Sequence, residues 1–378
     1  MRIPAVAMIL GLAVLSGCAS VPAPAYRQAG SESKVVLPRD LAGHDDFKTE
    51  WWYYTGNLTD EKGHRYSYQI VFFKRRTDLD RWMGIPGPVF SNPSHMAHFC
   101  LTDQETGRLV YDERLNKDYL DKKGAAGART DMLYVWNGDW SVKEIDGSHL
   151  ITAAMKGISA SFLLTPRKPY VIHGSDGFFV KAEGGRASDY ISSTRMKTEG
   201  ILTVAGVPHR VSGLSWHDHE YGTRMMSPDQ VGWDWFSVQL DDGSDLMLYL
   251  LRAADGRYTA FSGGTLVDPK GEPLYLGLDD IHVDKLRYWK SPRTAARYPV
   301  EYAIELPRFE LKLHVRPGVD DQELRTPKST RTTYWEGATV ITGAHGGKAV
   351  TGVGFLEMCG YEKPLAFLSR VGGPEARP

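Results

Sequence analysis

The chain has 378 residues with 45 basic and 46 acidic side chains, so its formal net charge is -1. A chain of this length suits two domains of roughly 150 residues. Its hydrophobic fraction of 42% and charged fraction of 24% argue against disordered, collagen-like and multi-pass membrane proteins, and the lack of a basic excess argues against a nucleic-acid partner. The 10 Trp, 19 Tyr, 13 Phe and 39 Gly residues favour strands joined by tight turns, so we expect an all-β fold.

The N-terminus has the anatomy of a secretory signal peptide. Arg2 precedes an apolar run over residues 3–15, which is too short to span a bilayer as a helix of the mature protein. Residues 15–18 match the bacterial lipobox, in which the cysteine, here Cys18, is lipidated and becomes the first residue of the mature chain. We therefore predict a signal peptide over residues 1–17 and lipidation of Cys18.

The residues after Cys18 indicate how the folded part is attached. Residues 18–34 are rich in Ala, Pro, Ser and Gly and lack apolar periodicity, as a flexible tether does. Ala19 occupies the position at which an aspartate would favour the inner membrane. We therefore expect an outer-membrane lipoprotein of the cell envelope that faces the periplasm, with the membrane as its partner through the lipid on Cys18.

Acidic and aromatic residues open the folded part of the chain. Glu50 is followed by two tryptophans and then two tyrosines. We predict Trp52 and Tyr54 as substrate-binding residues, with packing in a sheet as the alternative. After a predicted strand over residues 66–73, His98 directly precedes the apolar Phe-Cys-Leu segment and is predicted to enter a pocket.

Three further residues have open roles. Cys100 and Cys359 lie in a compartment that permits disulfides, but nothing in the sequence shows the short Cα separation that a bridge requires. We expect two buried thiols and keep a bridge as the alternative. Arg195 is predicted to bind a substrate carboxylate, with an ion pair at the surface or at a domain junction as the alternative.

Segments with the alternating pattern of strands recur at short intervals. No long segment has apolar residues repeating at the 3.6-residue period of a helix. The clearest hairpin joins residues 235–240 to 246–251 through an Asp-Gly dipeptide, which is typical of tight hairpin turns. Other strands are predicted over residues 159–164, 200–204, 301–306, 310–315, 338–342 and 350–358. Short helices are predicted only near residues 77–83 and 292–297.

Ionisable residues concentrate in residues 216–221, which read Trp, His, Asp, His, Glu, Tyr. Side chains alternate along a strand, so the two carboxyl groups and the indole would share one face and the histidines the other. A carboxyl group beside an indole has a raised pKa, as a general acid near neutral pH requires. A salt-bridged strand end between domains is the alternative. The predicted catalytic residues here are Asp218, Glu220 and His217, and the predicted substrate-binding residues are Trp216 and Tyr221.

A second acid follows soon after in the chain. Asp234 lies between Trp233 and a further tryptophan, and we predict it as a second catalytic carboxyl group with Trp233 as a substrate-binding residue. His217 and His219 have a His-x-His spacing that, together with His98, could hold a metal ion. We nevertheless predict no metal.

The two halves of the chain resemble each other. We predict an internal duplication that gives two β-barrels or sandwiches, with a first domain over residues 35–224 and a second over residues 225–378. At a constant offset of 139 residues, as from 218 to 357, Val211, Gly213, Trp216 and Asp218 correspond to Val350, Gly352, Phe355 and Glu357. The same comparison aligns Trp52 with Trp235, and Glu199 and Gly200 with Glu336 and Gly337.

Several catalytic motifs are absent from the sequence. Residues 213–217 approach a Gly-x-Ser-x-Gly elbow but lack its second glycine. The sequence also lacks a phosphate-binding glycine-rich loop before a helix, a Cys-x-x-Cys pair and a His-Glu-x-x-His motif. Serine-hydrolase, nucleotide, thioredoxin-like and zincin chemistry are therefore disfavoured, and no cofactor is expected.

The aromatic motifs, taken together, resemble the carotenoid 1,2-hydratase (hydroxyneurosporene synthase) and AttH-like family, whose members are also called lipocalin-like predicted secreted hydrolases. The resemblance implies two tandem lipocalin-like β-barrels, and it implies action on apolar isoprenoid or polyketide-derived molecules without a redox cofactor. The matching segments span nearly the whole mature chain: residues 50–56, 69–73, 193–196, 216–222, 232–236, 334–337 and 354–357.

The resemblance also implies a mechanism. In the hydratases a carboxylic acid protonates an alkene while aromatic rings shelter the cation. The resemblance therefore implies that Asp218 or Asp234 is the acid and that Trp216 and Trp233 are the sheltering rings. We therefore expect a hydratase-like or isomerase-like enzyme of the lyase class that acts on a small hydrophobic ligand. Two alternatives remain open: a non-catalytic carrier of hydrophobic molecules, and a metal-assisted secreted hydrolase built on His217 and His219.

Overall fold

The structure is a computed structural model that describes residues 26–32, 34–76, 81–82, 85–86, 93–117, 124–174 and 177–365. The predicted signal peptide, Cys18 and most of the predicted tether lie outside these residues, as does most of the short helix predicted near residues 77–83. Within the described part of the chain, no helix has the length and apolar character needed to cross a bilayer.

The first half of the chain forms a curled antiparallel sheet in the order β6-β5-β2-β1-β15-β14-β11-β10-β9-β8-β7, where β12 and β13 also pair with β14 and a separate pair consists of β3 and β4. Arg114 on β6 donates to the carbonyl of Asn137 on β8 at 2.6 Å, which ties the two ends of this sheet into a barrel. The strands are β1 (Thr49–Asp60), β2 (Arg65–Arg75), β3 (Arg81–Trp82), β4 (Ile85–Pro86), β5 (Ser94–Asp103), β6 (Arg108–Lys117), β7 (Ala126–Ala128), β8 (Tyr134–Asn137), β9 (Trp140–Ile145), β10 (Ser148–Met155), β11 (Ile158–Pro166), β12 (Val171–Ile172), β13 (Phe179–Ala182), β14 (Arg186–Val204) and β15 (Val207–Gly222).

The second half forms a similar curled sheet in the order β19-β18-β17-β16-β25-β24-β22-β21-β20, with β23 also paired to β24. Its strands are β16 (Gln230–Leu240), β17 (Asp245–Ala253), β18 (Gly263–Val267), β19 (Pro273–Gly277), β20 (His282–Lys290), β21 (Arg297–Leu306), β22 (Leu311–Pro317), β23 (Glu323–Thr326), β24 (Thr332–His345) and β25 (Lys348–Cys359). The described helices are three short 3-10 turns at Arg39–Leu41, Leu278–Asp280 and Pro307–Phe309.

The two sheets share one topology, because in each the first strand lies between the second and the last strands of its half. This order confirms the predicted all-β fold of two tandem, duplicated barrels. The predicted boundary at residues 224 and 225 falls in the connection between β15 and β16. The short helix predicted near residues 292–297 is wrong: these residues form bends in which Ser291 and Thr294 hydroxyls bind backbone amides, and β21 begins at Arg297.

Strand register corrects part of the predicted internal alignment. Tyr53 lies opposite Asp218, and Trp235 lies opposite Glu357, so Trp235 is equivalent to Tyr53 and not to Trp52. In a strand an error of one residue moves a side chain to the other face.

The second internal alignment needs a larger correction. Ser192 lies opposite Asp218 and Glu336 lies opposite Glu357, so Glu336 is equivalent to Ser192 and not to Glu199. The register of β14 against β15 shifts between Ser193 and Met196, an irregularity that the sequence comparison could not place.

Alternation along the strands divides the apolar residues into separate clusters. One fills the first barrel and contains Trp52 and Tyr54, and a second fills the second barrel and contains Phe236. A third combines residues of both halves, among them Tyr53 and Trp235. The barrels therefore pack against each other through side chains that point away from their interiors.

Candidate functional site

A cavity of about 110 Å³ lies between the two barrels, and its walls are mostly aromatic. Strands β1, β2, β5, β14 and β15 of the first barrel and β16, β17, β24 and β25 of the second contribute to its lining. The aromatic lining residues are Trp51, Tyr53, Phe73, Tyr190, Trp233, Trp235, Tyr249 and Tyr334. The predicted site residues Asp218, Glu220, Trp233 and His98 also line this cavity.

Asp218 is almost fully buried in the cavity wall, at 3% exposure. Its Oδ2 accepts a hydrogen bond from the Tyr190 hydroxyl at 2.7 Å, and its Oδ1 accepts hydrogen bonds from Trp216 Nε1 at 2.6 Å and from the Ser192 hydroxyl. Burial raises the pKa of Asp218 to about 7, because the loss of water outweighs these three hydrogen bonds. A carboxyl group with this pKa can give or take a proton near neutral pH.

Behind Asp218 lies a buried histidine that the sequence did not single out. His173 Nε2 lies 2.7 Å from Ser192 Oγ, and its Nδ1 lies 2.8 Å from the hydroxyl of Thr265 in the second barrel. Burial lowers the pKa of His173 to about 3, so the ring is neutral. The hydrogen bond to His173 therefore holds in place the Ser192 hydroxyl that donates to Asp218.

Glu220 lies two residues further along β15 on the same face. The buried Lys181 ammonium forms an ion pair with it, and the Ser188 hydroxyl donates to it. Lys181 Nζ also lies 4.2 Å from the centre of the Tyr249 ring. Burial lowers the pKa of Lys181 in spite of this pairing. Glu220 is therefore held by a partner, unlike Asp218, whose contacts are with uncharged donors.

The second barrel brings a pair of carboxyl groups to the same interface. Glu357 lines the cavity, accepts from Trp233 Nε1 at 3.2 Å and lies opposite Glu336 on β24. Glu336 accepts from the Tyr53 hydroxyl at 2.6 Å. Burial raises the pKa of both carboxyl groups, and the charge of Glu357 raises the pKa of Glu336 further. Both carboxyl groups are therefore harder to ionise than a glutamate in water.

His98 lies elsewhere in the cavity wall. Its Nδ1 lies 2.7 Å from the Tyr334 hydroxyl and its ring is 1% exposed. Burial lowers the pKa of His98 to about 3, so its ring is neutral. It faces the cavity, whereas His217 and His219 point into the first barrel, so the three histidines cannot share a metal ion.

Four other predicted site residues point into the first barrel, because they occupy the opposite strand face. Trp52 donates to the carbonyl of Leu41 at 3.0 Å, and Tyr54 bonds His149 at 2.9 Å. His217 stacks on Tyr54 with ring centres 4.2 Å apart. Tyr221 likewise stacks on His44 at 3.6 Å. The structure places none of these four on the cavity, and it assigns them to the packing of the barrel interior.

Asp234 is also separated from Asp218, because it points into the second barrel. Arg252 Nε lies 3.1 Å from its Oδ1, and hydroxyl groups of Tyr258 and Tyr361 donate to it at 2.7 and 2.9 Å. The predicted pairing of Asp218 with Asp234 in one pocket is corrected accordingly. The equivalent position of the first barrel is Trp52, which also points inward.

The two remaining predicted residues have structural contacts at the interface. Arg195 binds Asp245 of the second barrel at 2.7 Å and donates to the Leu240 carbonyl, which corresponds to the junction ion pair that was its alternative. Trp216 packs in the cluster between the barrels and reaches the site through its hydrogen bond to Asp218. The cysteines Cys100 and Cys359 are buried and unbridged.

Among the described residues, one group has the composition of a metal site. His44, Glu50 and His219 place one possible ligand atom each within 4.8 Å of one another. Lys74 Nζ already binds Glu50 at 2.5 Å, and the two nitrogens of His44 contact Glu50 at 2.8 Å and Asp40 at 3.1 Å. These groups satisfy one another, and the lysine charge holds the pKa of Glu50 low although burial opposes it. The group fits a structural ion network better than a metal centre.

Sequence reasoning missed several residues of the cavity. Lys181 and Tyr190 support or line it but stand in segments without a recognisable motif, and Tyr334 stands in a matching segment but was not singled out. Glu357 was detectable, because the offset that relates it to Asp218 was apparent in the sequence. Its partner Glu336 required the strand register.

Comparison with known proteins gives the same fold. A family model described as AttH-like matches residues 28–361. The crystal structure of an AttH protein from Nitrosomonas europaea is 30% identical, with a TM-score of 0.78 over 87% of this chain and 98% of that chain. Kievitone hydratase from Nectria haematococca is 17% identical, with a TM-score of 0.66 over 90% and 97%, and CghA is 13% identical, with a TM-score of 0.51 over 83% and 89%. The latter two show a shared fold. No protein with a curated description matches significantly.

Proposed function

Because the chain belongs to the AttH-like family, we propose that it binds a small hydrophobic molecule between its two barrels and hydrates it by acid catalysis without a redox cofactor. One structural neighbour is by name a hydratase, and at 17% identity it supports the fold alone. The proposal for the activity therefore depends on the chemistry of the cavity.

The observation that carries the proposal is the environment of Asp218. Its carboxyl group lines an aromatic cavity, its contacts are with the uncharged donors Tyr190, Ser192 and Trp216, and its pKa is about 7. Such a group holds a proton at neutral pH and can release it to a weak base such as an alkene only where water is scarce. No other carboxyl group in the described cavity wall accepts as many hydrogen bonds from uncharged donors.

The proposed reaction begins with transfer of the Asp218 proton to one carbon of a carbon–carbon double bond. The neighbouring carbon becomes a cation, which the faces of Trp51, Trp235 and Tyr249 can stabilise through their π electrons. A water molecule then bonds to the cation and loses a proton, which gives an alcohol. The ionised Asp218 regains a proton before the next cycle.

The residues that line the cavity indicate the class of substrate. Most of the lining is aromatic and favours an apolar molecule, while Asp218, Glu220 and Glu357 add buried carboxyl groups to it. We propose an isoprenoid-like or lipid-like molecule with a branched double bond, since branching stabilises the cation.

The test is hydration of a panel of isoprenoid alkenes by the purified chain in H₂¹⁸O, with the labelled alcohol measured by mass spectrometry. Asp218→Asn is expected to lower turnover by about 100-fold or more while ligand affinity changes little. The control is Asp103→Asn, which removes a carboxyl group bound to His64 at the edge of the first barrel, away from the cavity. Turnover by Asp218→Asn at the wild-type rate would contradict the proposed acid.

The apolar lining also fits the carrier alternative. Extraction of the gently purified protein and mass spectrometry of the extract distinguishes the two. Recovery of a tightly bound lipid, together with no labelled alcohol from any alkene, would replace the enzyme with a carrier.

We propose in addition that the protein is a lipoprotein, anchored through Cys18 to the outer membrane and facing the periplasm. The lipobox and Ala19 support this placement. The described chain begins beside the first barrel, where Arg27 N donates to the Asp46 carbonyl at 2.9 Å, so a tether would leave from that barrel.

A further inference from the structure

A line of four polar side chains runs from the cavity to the protein surface. Tyr334 and His98 line the cavity, and their Oη and Nδ1 atoms are 2.7 Å apart. His98 Nε2 lies 2.8 Å from Ser329 Oγ, and Ser329 Oγ lies 2.5 Å from Glu113 Oε2. The first two residues are buried and the last two are half-buried. Every step is within hydrogen-bond distance.

The line is assembled by both barrels. His98 on β5 and Glu113 on β6 belong to the first barrel, and Ser329 and Tyr334 belong to the second. Glu113 also accepts hydrogen bonds from the backbone amides of Lys328 at 3.1 Å and Ser329 at 2.8 Å. These amide contacts hold the loop before β24 in place, so the serine hydroxyl is fixed between the histidine and the carboxylate.

The three hydrogen bonds that Glu113 accepts fix the direction of the others. A carboxylate can only accept, so the Ser329 hydroxyl donates to it and must accept from His98 Nε2–H. His98 Nδ1 is then an acceptor and takes the hydrogen bond of the Tyr334 hydroxyl. The tyrosine oxygen consequently keeps its lone pairs for a donor in the cavity.

We propose that Tyr334, His98, Ser329 and Glu113 form a proton route that carries the proton released in the hydration step from the cavity to the surface. This inference rests on the proposed function. Tyr334 is the group that accepts the proton from the water bound to the substrate cation, and the other three residues are positioning and transfer residues.

The transfer balances without a further reactant. The water that has bonded to the cation gives one proton to the Tyr334 oxygen, while the Tyr334 proton moves to His98 Nδ1. The His98 Nε2 proton moves to Ser329, and the Ser329 proton moves to Glu113. Glu113 becomes neutral and releases its proton to solvent, and Asp218 takes one proton from solvent. The net reaction is alkene plus water to alcohol.

Tyr334 and His98, the buried members of the route, do not readily become charged. Burial raises the pKa of Tyr334 and lowers that of His98, so both remain neutral before and after the transfer. A proton therefore moves through them without staying there. The line from Asp218 through Ser192 and His173 ends at the buried Thr265, so Asp218 regains its proton through the cavity and not along this line.

The first experiment separates the route from the loop contacts. Ser329→Ala removes the hydroxyl but leaves both backbone amides to bind Glu113, whereas Ser329→Thr restores a hydroxyl. In the H₂¹⁸O assay, Ser329→Ala should lower kcat by about 10-fold or more with little change in KM, and Ser329→Thr should recover most of the rate. Equal kcat for Ser329→Ala and the wild type would overturn the route.

The second experiment needs no substrate. With ¹⁵N-labelled histidine, NMR should show the Nε2–H tautomer of His98 in the wild type. Glu113→Lys puts a side chain that can only donate in place of one that accepts, so the Ser329 hydroxyl turns toward His98 and the ring should change to the Nδ1–H tautomer. Glu199→Gln, which removes an exposed carboxyl group paired with Lys197, is the control and should leave the tautomer unchanged.

The outcomes distinguish the two proposals. An unchanged His98 tautomer in Glu113→Lys overturns the route by itself. Hydration by the wild type that is insensitive to Ser329→Ala overturns the route and leaves the proposed function standing. Absence of any labelled alcohol from the wild type overturns the proposed function, and with it the task assigned to the route, even where the tautomer responds.

Discussion

Asp218 and Glu357 occupy equivalent strand positions in the two halves, yet their surroundings differ. Asp218 faces Ser192 and accepts three hydrogen bonds, whereas Glu357 faces another carboxyl group, that of Glu336. The repeat therefore supplies two acids to one cavity with different neighbours. The first is suited to proton transfer, and the pKa of the second is raised by burial.

The raised pKa of Asp218 predicts a pH-dependent stability difference. In the unfolded chain this carboxyl group ionises near 3.8, and in the folded protein near 7, so the folded state binds the proton more tightly between these values. Its contribution to stability is present at low pH and lost as the pH rises through 7. Relative to Asp218→Asn, the wild type should lose about 3 kcal/mol in free energy of unfolding between pH 5 and pH 8.

Urea unfolding at the two pH values measures this difference. Glu336 and Glu357 titrate in both proteins, so their contributions largely cancel in the comparison. A difference between wild type and Asp218→Asn that does not vary with pH would show that Asp218 ionises normally in the folded state.

Single residues of the site were predictable only where the sequence carried a local pattern. Asp218 was predictable because alternation put it beside Trp216 and Glu220 on one face, and the structure shows that face. Asp234 was misplaced because a strand residue between two tryptophans has no feature that says which face is inward. Lys181 and Ser329 were missed, because their partners lie far away in the sequence. The spacing of residues along the chain does not reveal such contacts.

At the scale of the strand, two glycines mark places where adjacent strands lie close together. A Cβ added at Gly213 on β15 would lie 1.9 Å from the Asn57 carbonyl oxygen on β1, and one added at Gly352 on β25 would lie 2.6 Å from the Gln239 carbonyl oxygen on β16. These glycines are equivalent in the internal repeat. The same crowded pairing of first and last strands is therefore built into both barrels.

Substitution of these glycines should destabilise the barrels. Gly213→Ala forces the backbones of β1 and β15 apart and is expected to lower the free energy of unfolding by about 1–3 kcal/mol. Gly277→Ala is the matched control, since an added Cβ there meets nothing within 4 Å, and it should change stability by less than about 0.5 kcal/mol. Chemical denaturation measures both, and equal stabilities of the two variants would contradict the crowding.

Strand positions were well predicted because alternation and turn residues are local signals. The hairpin of β16 and β17 turns at Gly243, whose φ of +89° requires a residue without a side chain. The short helix near residues 292–297 was wrong because its prediction ignored side-chain hydrogen bonds to the backbone, which favour bends. Register was the weakest part, since an irregularity in β14 shifts every later partner.

At the scale of the whole molecule, membrane attachment can be tested without the ligand. The full-length chain made in bacteria is expected to incorporate radiolabelled palmitate and to fractionate with the outer membrane, because several acyl chains on Cys18 suffice for stable anchoring. Cys18→Ser should abolish both. Ala19→Asp is the control that keeps the lipid and should move the protein toward the inner membrane. A wild-type chain without label would contradict the anchor.

The two-barrel architecture was predictable from the internal duplication in the sequence, whereas the position of the cavity was not. Composition, alternation and repeated motifs describe each half separately. The cavity depends on which outer faces meet, and its walls combine residues as distant in sequence as Trp51 and Glu357. Such a site is visible only when both barrels are docked.

Because the two similar barrels belong to one chain, substitutions in one barrel are independent of substitutions in the other. Two separate copies facing each other would be bound by symmetry, so each substitution would alter both sides of the shared hollow at once. Fusion removes that restriction. Trp235 could stand where the first half has Tyr53, and Glu336 where the first half has Ser192, because each half was free to vary alone. Selection could thus fit the two walls of the cavity to different tasks.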